Sequence, residues 1–85
     1  MNIGDVVISL SGHDCGRLYV VIGIENDSIV LCDGKRKLLS NPKRKNEKHL
    51  KETGERVDLS TYSPLYDAHI RKALKCVKKD ICLKY

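Results

Sequence analysis

The hydrophobic rhythm of this chain changes once. In the strands at 4–10 and 17–25 the main apolar side chains fall at every second position; beyond residue 63 they recur every third or fourth. Val6, Ile8 and Leu10 alternate with Asp5, Val7 and Ser9, which predicts a strand over residues 4–10 with one strongly apolar face. Residues 17–25 predict a second strand, with Leu18, Val20, Ile22 and Ile24 on one face and Tyr19 and Val21 on the other. A strand apolar on both faces belongs in the middle of a sheet. Between these two strands, Gly12 and Gly16 bracket His13, Asp14 and Cys15, and supply the positive φ angles that a tight reversal needs.

Glu25-Asn26-Asp27-Ser28 predicts a turn and Ile29–Cys32 a short third strand. Asp33-Gly34 is a hairpin signal that leads to a fourth strand at about residues 36–39. Asn41-Pro42 interrupts the pattern. Residues 46–50 read either as a last strand or as a basic loop, and 51–62 as a polar connection with a turn near Gly54. Ser63-Pro64 then reads as a helix start, with Ser63 as cap, Pro64 in first position and Asp67 in the first turn. The helix is expected over about 64–79. Tyr66, Ile70, Ala73, Leu74, Val77 and Ile81 form its apolar stripe, and Arg71, Lys72, Lys75, Lys78 and Lys79 its charged side.

The length of 85 residues bounds this to a single domain, 1–85: a β-rich part (1–50), the connection (51–62), and the amphipathic helix with its tail (63–85). With no Trp or Phe, the core is modest, and a deep pocket would compete with it for the same side chains. Surface binding follows, with no enzymatic activity, small-molecule substrate or cofactor expected.

Charge sharpens this. The chain carries a net +5, yet the segment Lys35–Lys51 alone holds eight basic residues against Glu47, leaving the rest of the chain slightly acidic. A near-neutral body with one cationic segment is the footprint of a polyanion-binding site; the plainer reading is a solvated basic loop. Lysines and arginines neutralise phosphates and release counterions, and Arg36 and Arg44 can also stack on bases or fork onto phosphates. Pro42 restricts the backbone between the two halves of the block, while Asn41 and Asn46 add neutral hydrogen-bonding groups.

Gly4-Asp5-Val6-Val7, Ser11-Gly12 and Gly16, followed by the alternating strand, resemble the KOW motif, the first hairpin of small SH3-like barrels in ribosomal proteins and elongation factors. Asp33-Gly34, Arg36-Lys37-Leu38, Asn41-Pro42-Lys43-Arg44-Lys45-Asn46 and Lys48-His49-Leu50 are similar to short bacterial KOW-domain proteins. Those in turn resemble certain archaeal and eukaryotic large-subunit ribosomal proteins. The resemblance covers about residues 3–50. It departs where Cys15 and Leu18-Tyr19 stand in place of the usual basic residue and glycine. It implies a small SH3-like barrel (KOW type) with a C-terminal α-helix. It further implies RNA contact, with ribosomal RNA and the ribosome as partners, through Lys35, Arg36, Lys37, Asn41, Lys43, Arg44, Lys45, Asn46, Lys48 and His49. Arg71, Lys75 and Lys79 on the helix form a possible second RNA surface, or simply its solvated side.

The remaining chemistry is sparse. Cys15, Cys32, Cys76 and Cys82 lack the close pairing of a zinc site, so no metal is expected. Cys32 and Cys76 read as small core hydrophobes. His13 and Cys15 adjoin on a hairpin tip, where side chains rarely face each other in a sheltered cleft as nucleophilic catalysis requires. Among the tyrosines, Tyr19 is expected to pack on the barrel surface or against the helix, and Tyr66 in the core. With no leader-like or membrane-spanning segment in view, the expected setting is cytoplasmic. The sequence thus predicts an RNA-binding protein of the ribosome or its biogenesis; the alternative is an SH3-like protein-interaction module in transcription or translation machinery.

Overall fold

The computed structural model describes residues 1–13 and 15–84, with side chains through Val77. Expectations resting on Asp14, on the side chains of Lys78, Lys79, Ile81 and Cys82, and on Tyr85 lie outside the described residues.

Among the described residues five strands, β1 (Asp5–Ser9), β2 (Leu18–Glu25), β3 (Ser28–Cys32), β4 (Lys43–Asn46) and β5 (Leu50–Arg56), precede one α-helix, α1 (Asp67–Lys84). They form one antiparallel sheet in the order β4-β3-β2-β1-β5. The first four strands are a meander. A single 3-10 turn over Glu47–His49 then carries the chain from the β4 edge to the opposite edge, where β5 pairs with β1. The sheet is mainly-β, barrel-like in outline and not closed.

Both faces are covered. Val7, Tyr19, Val21, Ile29, Leu31 and Leu50 pack together on one face. Val6, Val20 and Cys32 lie on the other, beneath Ile70, Leu74 and Val77 of α1. The predicted central position of the second strand therefore holds, as β2 lies between β1 and β3.

Several expectations are corrected. β1 is not one-faced, since Val7 and Ser9 are fully buried while Leu10 is exposed. Tyr19 lies neither at the surface nor against the helix; it belongs to the face away from α1 and is almost fully buried. In β2 the register shifts between Val21 and Gly23, leaving Ile22 as an extra residue. Residues directly opposite each other in antiparallel strands share a face. Ile24, opposite Ile29, is thereby moved to the rim of the Val21 face rather than continuing that of Val20.

The fourth strand is not at 36–39 but is the basic run 43–46 itself. Asp33 does not turn a two-residue hairpin, because its Oδ1 accepts the backbone N–H of Lys35, Arg36 and Lys37 at 2.9, 3.0 and 2.9 Å. That gathers 33–37 into a loop of its own. A lysine-rich sequence suits β4, which is an edge strand. The expected polar connection is partly strand as well. β5 runs through Gly54, whose φ of +85° sits in a bulge where two steps of β1 oppose four of β5. Thr53 repairs the ladder there: its hydroxyl donates to the Val6 carbonyl at 2.9 Å and accepts the Glu55 N–H at 3.1 Å.

The helix starts at Asp67, later than expected, and continues to Lys84. His69 Nδ1 accepts the Tyr66 N–H at 3.1 Å, reaching back from the third helical position as the acid does in a capping box. Tyr66 consequently precedes the helix and is 61% exposed, not core. Cys76 is also exposed. It precedes Val77 by one residue, about 100° around the helix from the buried stripe.

Candidate nucleic-acid interface

The basic block does not form one surface, because β4 makes it alternate. Lys43 and Lys45 stand opposite Leu31 and Ile29 and so share the Tyr19 face; Arg44 and Asn46, opposite Val30 and Ser28, point the other way. Arg44 is exposed but already paired, its Nε lying 3.1 Å from Glu25 Oε2 across the β3 strand. Lys45 is half-buried, donating from Nζ to Ser9 Oγ at 2.6 Å and to the Ser11 carbonyl at 2.7 Å. It holds the sheet together at that end. Asn46 uses its Oδ1 to accept the Lys48 N–H at 3.1 Å, capping the 3-10 turn. His49 is half-buried and its carbonyl accepts the Leu10 N–H at 2.8 Å. Asn41 and Lys48 are exposed.

The other half of the block meets the helix. Lys35 and Arg36 are exposed on the 33–37 loop, and Lys37 is half-buried. Beneath them Gly34 adopts φ +76°, and a β-carbon there would overlap the Asp67 carbonyl and lie 2.8 Å from Arg71 Cγ. Only glycine lets the loop approach α1 this closely. Arg71 donates from Nη1 to the Gly34 carbonyl at 2.7 Å, and Asp67 Oδ1 accepts the Leu39 N–H at 2.8 Å. Together these contacts seat the loop that carries Lys35 and Arg36 on α1 at Arg71, with exposed Lys75 one helical turn further on. Asp33 and Asp67 are half-buried under this cluster and turned onto backbone amides. The sequence places 35–37 and 71–75 far apart; the fold makes them neighbours.

Two further features carry little sequence signal. The ring of Tyr62 stacks on His69, with centroids 4.4 Å apart and planes 18° from parallel, and Tyr66 tilts against the same imidazole at 5.7 Å. The spacing 62, 66, 69 is a faint pointer to this array, and the helical stripe that claims Tyr66 obscures it. The second is Cys32. Its buried thiol donates to the Lys37 carbonyl at 3.0 Å beneath the basic loop, and burial pushes its pKa up to about 11.

Among the described residues no group of three His, Cys, Asp or Glu side chains is placed to hold a metal ion. No helix among them is long and apolar enough to cross a membrane. A cleft of about 490 Å³ is lined by Ile3, Arg56, Val57, Asp58, Leu59 and Ser60, none of them from the loop–helix cluster. Asp58 is committed there to capping a short turn, accepting the Ser60 N–H at 3.1 Å. The chain matches no protein-family model and no curated protein sequence.

Proposed function

We propose that this chain is a cytoplasmic RNA-binding protein on an SH3-like barrel of the KOW kind, docking on ribosomal RNA as a ribosome-associated or biogenesis factor. The barrel reading is supported by the meander, the 3-10 turn after β4 and the return of β5 beside β1. The ribosomal partner follows from the resemblance of residues 3–50. The observation that carries RNA binding is the junction at Gly34 and Arg71, which merges the loop cations Lys35 and Arg36 with Arg71 and Lys75 of the helix. Such a surface suits a chain of phosphates. The binding is electrostatic docking by a rigid scaffold, with no chemistry on the RNA.

Fluorescence anisotropy of a labelled RNA, titrated with the protein across a range of salt, tests this. With about four phosphates neutralised, the log–log slope of affinity against salt is about −3, at roughly −0.7 per phosphate for single strands. A slope near zero would refute RNA docking and favour the protein-interaction module. Crosslinking in cells with sequencing of bound RNA tests the ribosomal assignment separately.

A further inference from the structure

We infer that Tyr66, backed by His69 and Tyr62, is a stacking platform for an unpaired base of single-stranded RNA. This rests on the RNA-binding reading and goes beyond it by naming the form of RNA and a contact that is not electrostatic.

A single exposed tyrosine would carry little, since apolar atoms are common on protein surfaces. Tyr66 differs in how it is held. Its N–H donates to His69 Nδ1 at 3.1 Å and its carbonyl accepts the His69 N–H at 3.0 Å, so both sides of its backbone are fixed by one residue. That residue is itself in contact with both tyrosine rings: the imidazole lies 4.4 Å from the Tyr62 ring, nearly parallel, and 5.7 Å from the Tyr66 ring, at 45°. Tyr62 and His69 are half-buried, whereas Tyr66 at the outer end is 61% exposed. The array therefore runs from the protein body outward and ends in an open ring whose backbone is already ordered. Prior ordering of this kind lowers the cost of binding.

A flat, anchored aromatic ring offers any nucleobase a π-face, and stacking of this sort tolerates sequence. Lys72 is exposed one helical turn beyond His69, in reach of a phosphate flanking the stacked base. Bases inside a duplex are already stacked on their neighbours, so the platform selects single-stranded loops, bulges or ends.

The test uses the full chain and a short RNA carrying one 2-aminopurine, whose fluorescence is quenched on stacking. Wild type and Tyr66→Phe are expected to quench it. Tyr66→Leu loses the quench and binds about tenfold more weakly, with the salt slope unchanged because no phosphate contact is lost. Thermal denaturation checks that the variant folds. As an arm independent of any variant, an RNA bearing 5-iodouridine should crosslink on irradiation within residues 62–69 of the wild type. Wild-type affinity and quench in Tyr66→Leu, or crosslinks confined to residues outside 62–69, overturn the platform while leaving RNA binding standing. Equal affinity for single strand and duplex also overturns it. Absence of salt-dependent binding by the wild type removes the RNA reading and the platform together.

Discussion

Lys45 and Ser9 sit on strands three places apart in the sheet, yet Lys45 Nζ donates to Ser9 Oγ at 2.6 Å. In a flat sheet, with neighbouring strands about 4.8 Å apart, β4 and β1 would be separated by roughly 14 Å. A lysine side chain covers less than half of that. The sheet must curl toward the face of Tyr19, Val21 and Leu31, and Lys45 ties the curl across its concave side. A cation that reads in the sequence as part of an RNA-binding run is thus a structural strut.

Replacing it is expected to cost stability. Lys45→Met removes two hydrogen bonds from a charged donor, one to Oγ of the fully buried Ser9 and one to the Ser11 carbonyl. Such a loss is worth about 1–3 kcal/mol, and the lower half of that range applies because Lys45 is only half-buried. For a domain this size about 1 kcal/mol moves the melting temperature by roughly 4–8 °C. Lys48→Met, on an exposed residue of the adjacent turn, should shift it by little. Equal melting temperatures for the two variants would remove the strut.

Two glycines separate backbone strain from close approach. Gly16 has φ +87° with nothing within 4 Å of the place a β-carbon would occupy, whereas Gly34, at φ +76°, faces the Asp67 carbonyl and Arg71. Gly16→Ala therefore carries only the left-handed penalty, about 1–2 kcal/mol. Gly34→Ala adds overlap with α1 and should cost about 3 kcal/mol or more. Urea denaturation of the two variants measures the difference. It also reports whether loop 33–37 is seated on the helix.

The two-rhythm pattern makes the first hairpin, the third strand and the C-terminal helix legible, because alternation and helical spacing reflect burial directly. What stays hidden depends on contacts distant in sequence or on local hydrogen bonding. Asp33-Gly34 looks like a hairpin, but nothing in its spelling says that one carboxylate will collect three backbone amides. Lys43–Asn46 has a composition poor for strands, and only its edge position makes it acceptable. The bulges at Ile22 and Gly54 change which side chains share a face, the first inside an unbroken apolar run and the second in a polar stretch with no pattern to read. The candidate site is half legible: the cations are visible in the sequence, while their division between two faces and their union with Arg71 are not.

Cys32 makes the fold sensitive to alkaline pH. Burial raises its thiol pKa from 9.0 to about 11, with the charges of Asp67 and Asp33 adding to the rise. Between those values the unfolded chain loses the proton first, so the contribution to stability is complete below about pH 9 and fades as pH climbs toward about 11. The loss is at most about 3 kcal/mol. The stability gap between wild type and Cys32→Ala should accordingly narrow over that window. At pH 8 a thiol reagent should modify Cys15 and Cys76, which are exposed, while Cys32 reacts only after unfolding. Rapid modification of Cys32 in the folded protein would contradict its burial.

The partition of charge predicts which substitutions weaken RNA binding. If the footprint is the loop–helix junction, changing Lys35 and Arg36 together to Gln removes two phosphate contacts and flattens the log–log salt slope by about 1.4, at roughly 0.7 each. Lys75→Gln should remove a further contact of the same size, since it lies one turn from Arg71 on the exposed side. Arg44→Gln should act less, because Arg44 is already paired with Glu25 at 3.1 Å. Lys45 is unsuitable as a probe, because its loss would be confounded with unfolding of the curl. A contiguous footprint on the run 43–46 predicts the reverse order, with Arg44 dominant and Lys75 silent. Anisotropy titrations of the three variants across salt decide between them: a slope untouched by the Lys35/Arg36 change moves the RNA site off the junction.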